Sequence, residues 1–191
     1  GSGDGFFTVT HPVNSRVLFA ESQGGNLTRL DLTTMERSRI RPIGQSTEDG
    51  EQPDLRWNWD SPILMSVHDE NTIYAGANIL FRSADLGQTW EQISPDLTYE
   101  INRDTLSIMG VSGSEPQMSL NDGQSSYGNL TVIGESPMNS EVIYTGADDG
   151  RVQVTQDGGS TWTDLTDNID DLPGNAYVTR IVASHADPGT V

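Results

Sequence analysis

The octapeptide at residues 83–90, SADLGQTW, is written again at residues 155–162 as TQDGGSTW. Both copies run Ser or Thr, any residue, Asp, any residue, Gly, any residue, Thr, Trp. The flanks repeat with them. TIYAGAN at 72–78 matches VIYTGAD at 142–148, and LFRSADLGQTW matches VQVTQDGGSTW. A chain that repeats at this scale builds one supersecondary unit several times and stacks the copies, because a single copy cannot bury its own apolar face.

Two further copies are less complete. Residues 5–40 hold the strand pair and its turn, but DLTTMER stands where the octapeptide belongs. Residues 177–191, YVTRIVASHADPGTV, supply an opening strand. Leu18, Ile73, Ile143 and Val191 are equivalent positions, 55, 70 and 48 residues apart. Propeller blades recur at roughly 40–50 residues plus insertions.

Four short strands are expected in each full copy. In one they are Ile63–Val67, Thr72–Ala75, Ile79–Arg82 and Trp90–Ile93. In the next they are Leu130–Gly134, Val142–Thr145, Val152–Thr155 and Trp162–Leu165. Between them lie Gly, Asn, Asp and Ser, and Asp149-Gly150 is a strong hairpin signal because Gly accepts the positive φ of a tight turn. Short strands joined by short turns make an antiparallel meander. The fold class that follows is all-β: a β-propeller of four-stranded antiparallel blades, about three blades plus one strand of an incomplete ring. The boundaries are a blade without the octapeptide over 1–42, a blade with it over 43–100, an insertion over 101–128, a second octapeptide blade over 129–172, and the opening of a fourth over 173–191. Three blades do not close a ring, so the rest of its own propeller or further copies are the expected partners.

Charge narrows the partners. The chain of 191 residues carries 28 acids against ten arginines and no lysine, a net charge of −18. Such a surface repels nucleic acid and anionic membranes. No apolar run approaches the length needed to span a bilayer. Cysteine is absent, so there is no disulfide, thiolate nucleophile or Cys metal site. The three histidines fall on different copies and make a poor metal cluster, and DLTDNIDD at 164–171 lacks the spacing of a calcium loop. No cofactor or metal is expected.

The octapeptide reads as a structural hairpin between the third and fourth strands. Ser83 and Asp85, like Thr155 and Asp157, can accept bonds from loop N–H groups. Gly87 and Gly159 permit angles that other residues resist. Thr89 and Thr161 belong to the same hairpin, and Trp90 and Trp162 can bury their rings between sheets. A part used once per blade is unlike an active site, which is needed once.

These residues resemble the Asp-box of the BNR-repeat proteins, a motif shared by sialidases, two-propeller xyloglucan hydrolases and sortilin-type receptor propellers. The stretch RWNWDSPILMSVHDENTIYAGANILFRSADLGQTWEQISPDLT is similar to large secreted bacterial BNR-repeat proteins. The resemblance spans residues 4–191 and implies an extracellular or periplasmic bacterial protein, with the Asp-box on the periphery and any central site elsewhere.

Two candidate sites remain. Arg56, Trp57, Asn58, Trp59 and Asp60 bring a cation, two flat aromatics, an amide and a carboxylate to the start of a first strand, where loops at one rim form the usual binding surface. Aromatic faces stack on sugar rings, and Arg and Asp can orient hydroxyls or a carboxylate. The competing expectation is that the Trp pair packs between blades and Arg56 pairs with Asp60. The second candidate is the long linker at 101–129, with Arg103, Asp104, Asp122 and Tyr127, since loops of this length are usually functional or disordered.

Three functions stay open: a non-catalytic scaffold binding a protein, peptide or glycan; part of a glycoside hydrolase; or a structural module of a surface assembly. A glycosidase needs two carboxylates facing one cleft roughly 5–10 Å apart. No such pair, and no Tyr–Glu pair of the sialidase kind, can be assigned from the sequence.

Overall fold

The computed structural model describes residues 4–46, 50–51, 53–108, 110–113, 115 and 126–191. Three four-stranded antiparallel sheets follow one another along the chain. The first holds β1 (Gly5–Thr10), β2 (Val17–Ser22), β3 (Asn26–Asp31) and β4 (Glu36–Arg39). The second holds β5 (Ile63–Met65), β6 (Ile73–Gly76), β7 (Leu80–Ser83) and β8 (Glu91–Gln92). A two-stranded hairpin, β9 (Ser107–Ile108) and β10 (Val111–Ser112), interrupts the series. The third sheet holds β11 (Leu130–Glu135), β12 (Ile143–Ala147), β13 (Val152–Thr155) and β14 (Thr163–Asp164). Each sheet is a simple meander in chain order. The first strands adjoin one another, β1 against β5 and β5 against β11, so they form the inner edge and the fourth strands the outer edge.

The expected strands are present with shifted ends: the second strands begin one residue later than expected, at Ile73 and Ile143. The fourth strands begin one residue later, at Glu91 and Thr163. Trp90 and Trp162 leave the ladder because each indole turns to the preceding sheet, where its Nε1–H donates to a backbone carbonyl.

Most of the core lies between blades rather than within them. Phe19, Leu27 and Ile40 of the first meet Ile63, Ile73 and Ala75 of the second. Tyr74, Leu80, Ile93 and Leu97 meet Leu130, Ile133, Ile143 and Ala147 of the third. Val142, Tyr144 and Val154 close over Ala183, with Ile181 beside them. Each fully buried Ile, Leu or Phe contributes about 1.5–3 kcal/mol of transfer free energy, so neighbouring blades stabilise one another. Gly76 and Gly146 make room at equivalent points: a Cβ at Gly76 would lie 2.9 Å from Pro62, and one at Gly146 2.4 Å from Val178.

The fourth copy docks in the same way. Val178 N–H donates to Ala147 O at 3.2 Å, as Leu130 N–H donates to Ala77 O at 2.7 Å one blade earlier. Residues 177–184 form no ladder, because no second strand pairs with them among the described residues.

A second repeated device joins the first and second strands. The residue six positions before each second-strand entry donates its N–H to the carbonyl there: His11 to Val17, Ser66 to Thr72, Ser136 to Val142 and Ser184 to Thr190. The side chain of that first residue caps the turn. Ser66 Oγ accepts from His68 and Asp69 N–H, Ser184 Oγ from Ala186 and Asp187 N–H, and His11 Nδ1 from Val13 and Asn14 N–H. Three residues on, Asn14, Asp69, Asn139 and Asp187 each accept from the N–H two residues later. Histidine here does a serine's work.

Candidate functional site

The two octapeptides fold to the same geometry. Ser83 Oγ donates to Asp85 Oδ1 at 2.7 Å and accepts from Gly87 N–H at 2.8 Å. Thr89 N–H and hydroxyl reach the two Asp85 oxygens at 2.8 and 2.6 Å. In the later copy, Thr155 donates to Asp157 at 2.8 Å and accepts from Gly159 at 2.9 Å, and Thr161 reaches Asp157 at 2.8 and 2.6 Å. Burial pushes the Asp85 carboxyl up, but bonds from Thr89, Ser83 and Gln88 outweigh it and hold it below the ordinary range. Bonds from Thr161 and Thr155 hold Asp157 down as well. Both carboxylates are ionised and engaged within their own hairpins. Each hairpin also grips the blade before it: Trp90 Nε1–H donates to Ile40 O at 2.6 Å, and Trp162 Nε1–H to Ile93 O at 3.1 Å.

At the inner rim the first candidate cluster separates into parts. Arg56 does not pair with Asp60. It pairs with Asp96 at 2.6 Å and also donates to Thr98 Oγ1 at 3.1 Å and Gly128 O at 2.9 Å. The strand entry carries Arg56 back toward its own blade's exit segment at 96–98, which holds the nearer carboxylate. Asn78 further anchors Asp96 at 2.8 Å and the Arg56 N–H at 2.9 Å. Arg56 therefore ties the second blade to the approach to the third. Asn58 donates to Asn129 Oδ1 at 2.6 Å and accepts from Asp60 N–H, joining the same two blades.

The two tryptophans differ in the same way. Trp57 is buried, stacked on Phe81 with ring centres 6.3 Å apart, and covered by the Arg41 guanidinium at 4.9 Å. Trp59 is 41% exposed. It borders an open groove of about 310 Å³ shared with Gln23, Arg41, Leu55, Trp57 and Ser126. A second groove of about 300 Å³ lies on the other side of Arg41, at the outer seam between the first two blades, where Arg39, Gln88, Trp90 and Gln92 line it.

In the second candidate segment, Arg103 and Asp104 sit in a single 3-10 turn at Arg103–Thr105, capped by Asn102 accepting from Asp104 N–H at 3.0 Å. Tyr127 is half-buried, its hydroxyl pushed up by burial and by the charges of Asp148 and Asp149. Asp122 lies outside the described residues.

The structure adds buried acids that sequence reasoning passed over. Glu135 accepts from Ser66 Oγ at 2.8 Å, Val67 N–H at 2.7 Å and Tyr74 OH at 3.0 Å, locking the first strands of the second and third blades together. Asp149 accepts from Tyr99 N–H at 2.6 Å and Arg151 N–H at 3.2 Å. Asp148 accepts from Gly128 and Asn129 N–H, and burial pushes its carboxyl up to about 6. Glu21 replaces the glycine of the other blades at the position of Gly76 and Gly146. Its Oε1 accepts from Gly25 N–H at 3.0 Å, its Oε2 has no hydrogen-bond partner among the described residues, and burial pushes its carboxyl up to about 7. Among the described residues no group of three or more His, Asp or Glu could hold a metal ion. No helix among them is long and apolar enough to cross a membrane.

No protein-family model matches the chain, and no curated protein matches it. Solved structures do. The GH74 xyloglucanase of Xanthomonas campestris aligns with 85% of this chain and 21% of its own at 18% identity, with a TM-score of 0.53. A structure described as the Dos1 propeller aligns with 86% of this chain and 34% of its own at 14% identity, TM-score 0.47. An auxiliary nutrient binding protein from Bacteroides thetaiotaomicron aligns with 82% and 34% at 15% identity, TM-score 0.45. The chain spans about a fifth of the length of the GH74 structures it matches. Identities this low speak to fold alone. Three meanders with adjoining inner strands, repeated outer hairpins and a docked fourth segment make this chain an incomplete β-propeller of four-stranded blades.

Proposed function

We propose that the chain is a segment of a secreted, non-catalytic propeller of the BNR/Asp-box type that serves as a scaffold for binding a protein, peptide or glycan. The observation that carries this reading is the engagement of its conspicuous charged groups. Asp85, Asp157, Glu135 and Arg56 each hold several internal partners, as building parts do, whereas Trp59 offers a free aromatic face beside an open groove. The division into blades at 1–42, 43–100, 129–172 and 173–191, with an insertion at 101–128, belongs to the same proposal, as do secretion and completion of the ring by the rest of its own chain or by further copies.

The test is binding by calorimetry against a panel of oligosaccharides and peptides, comparing the native chain with Trp59→Ala. The scaffold reading expects a ligand whose affinity falls at least tenfold in the variant while thermal stability is unchanged. A second reading, part of a glycoside hydrolase whose site is incomplete in this chain, draws on the likeness to the Xanthomonas xyloglucanase. Hydrolysis of any α- or β-glycoside by the chain itself would favour it over the first.

A further inference from the structure

The two blade seams provide an internal comparison. At both, an indole donates to a carbonyl of the previous blade and a glycine of positive φ packs against the same residue: Trp90 and Gly87 on Ile40, Trp162 and Gly159 on Ile93. The equivalence is fixed by the ladder, since Ile40 N–H donates to Leu27 O and Ile93 N–H to Leu80 O. The scaffolding is therefore repeated, and the chemistry around it is not. Flanking Ile40 are Arg39 and Arg41; flanking Ile93 are Gln92 and Ser94. Facing them across the first seam are Gln88 and Gln92; across the second, the equivalent positions are Ser160 and Asp164. The cation pair is thus particular to the first seam.

The first seam is also where the chain departs from its own charge. Residues 1–42 hold five arginines against four acids, and the remainder holds five against 24. The groove at this seam, about 300 Å³, has two guanidinium groups and three glutamines in its lining and, among the described residues, no carboxylate. Among the described residues neither Arg39 nor Arg41 pairs with an acid; the Arg41 guanidinium lies over Trp57 instead. Gln88 and Gln92 donate their amide N–H to Asp85 O and Ser94 O, and each retains a carbonyl oxygen as an acceptor. Two forked cations suit a carboxylate. Amide acceptors suit hydroxyls, Trp90 supplies an apolar wall, and the volume is at the lower end of the small-ligand range, roughly 300 Å³. Arg41 also lines the Trp59 groove, so the two grooves share a cation.

We infer that the outer seam between the first two blades is a binding site for a carboxylate-bearing sugar, a uronic acid unit of an acidic glycan. The inference rests on the scaffold reading and names its ligand class: Arg39 and Arg41 take the carboxylate, the glutamines the ring hydroxyls, and the chain of sugars continues over Arg41 toward Trp59.

The experiment is calorimetric titration of the native chain with an α-1,4-linked galacturonic acid trisaccharide, its methyl ester, the neutral galactose trisaccharide, sodium acetate and a short polyglutamate. Arg39→Gln and Arg41→Gln are measured alongside, with near-ultraviolet circular dichroism to confirm that each is folded. Arg39 makes no internal bond to any described side chain, so its variant keeps the test open if Arg41→Gln disturbs Trp57. The expected result is binding of the acid trisaccharide, weakened at least tenfold by esterification and by either substitution, and weakened again by salt. Equal binding of acid and ester, unchanged binding in Arg39→Gln, acetate binding as tightly as the sugar, or tighter binding of polyglutamate would each overturn it. Neutral sugar binding lost in Trp59→Ala but kept in Arg39→Gln overturns this inference and leaves the scaffold reading standing. Absence of binding to every sugar overturns both the inference and the glycan part of that reading.

Discussion

The indole N–H of Trp90 donates to the carbonyl oxygen of Ile40 at 2.6 Å, across the seam between the first two blades. Trp162 makes the same bond to Ile93 at 3.1 Å. A half-buried aromatic thus gives each seam both apolar area and one directional bond. Replacing Trp90 by Phe removes the bond and keeps most of the area, with an expected loss of about 1 kcal/mol; Ala removes both, at about 2–3 kcal/mol for a half-buried ring. Urea unfolding of the two variants checks the split. Equal losses would mean that the bond carries nothing.

The two octapeptide glycines should not be equally replaceable. Both have positive φ, 84° at Gly87 and 106° at Gly159. A Cβ at Gly87 would meet the Ile40 Cδ1 methyl at 2.8 Å, the end of a flexible side chain, and the Ile40 Cβ at 3.0 Å; at Gly159 it would meet the Ile93 carbonyl oxygen at 2.4 Å, a backbone atom. The methyl can move and the carbonyl cannot without breaking its bond to Trp162. Gly87→Ala should cost about 1–2 kcal/mol and Gly159→Ala clearly more. Denaturation midpoints that ranked them the other way would contradict the packing described.

Breaking the Arg56 network should be costly, because both partners are largely out of water, with about 20% and 19% of their side chains exposed. Arg56→Ala leaves the Asp96 carboxylate with Asn78 and Thr98 only. The expected loss is about 3 kcal/mol, and Arg56→Lys should recover part of it, since an ammonium can keep Asp96 but cannot fork to Thr98 and Gly128. Thermal unfolding at neutral pH measures both.

Stability should fall as pH rises from about 4.5 to about 7, by way of Glu21. Burial raises its carboxyl from 4.5 to about 7, and the Asp60 charge adds to that. In this window the folded chain keeps a proton that the unfolded chain has lost, so folding is favoured on the acid side and the advantage disappears above the folded value. Asp148, raised to about 6, acts in the same direction. Asp85 and Asp96 are lowered, so their stabilising contribution is complete once the unfolded carboxyls have ionised, at about pH 5, and constant over the rest of the window. Glu21→Gln keeps an acceptor for Gly25 N–H and removes the titration. It should raise stability at pH 8 by on the order of 2 kcal/mol and change it little at pH 4.5. Guanidinium titrations at the two pH values decide it.

Much of the architecture was legible because it is local. Hairpins reveal themselves by turn residues a few positions apart, so the strand order and the octapeptide loop followed from spacing alone. The four-fold Ser or His turn was equally local, but its pattern is three sparse positions and its first member varies, so only the shared hydrogen bonds expose it. The rim was not legible. Arg56 has Asp60 four residues away in sequence and chooses Asp96, forty away, because the meander returns the blade's exit segment to its entry. Glu21 follows the apolar run at 17–20, at the polar end of its strand, where the sequence gives no hint of burial. What decides its fate is the neighbouring blade, whose Ser61 and Asp60 close over it.

The direction of the seam bonds has a consequence for how such a chain assembles. Trp90 reaches back to Ile40, Trp162 to Ile93, Leu130 to Ala77 and Val178 to Ala147; in these four bonds to backbone carbonyls the donor lies later in the chain, whereas side-chain bonds such as Asn58 to Asn129 and Tyr74 to Glu135 run the other way. Each blade therefore offers its successor carbonyl acceptors already held by its own ladder, so the same fastening can be repeated from blade to blade. Leu165, whose N–H donates to Val152 O as Ile40 does to Leu27 O, presents the next carbonyl in that row.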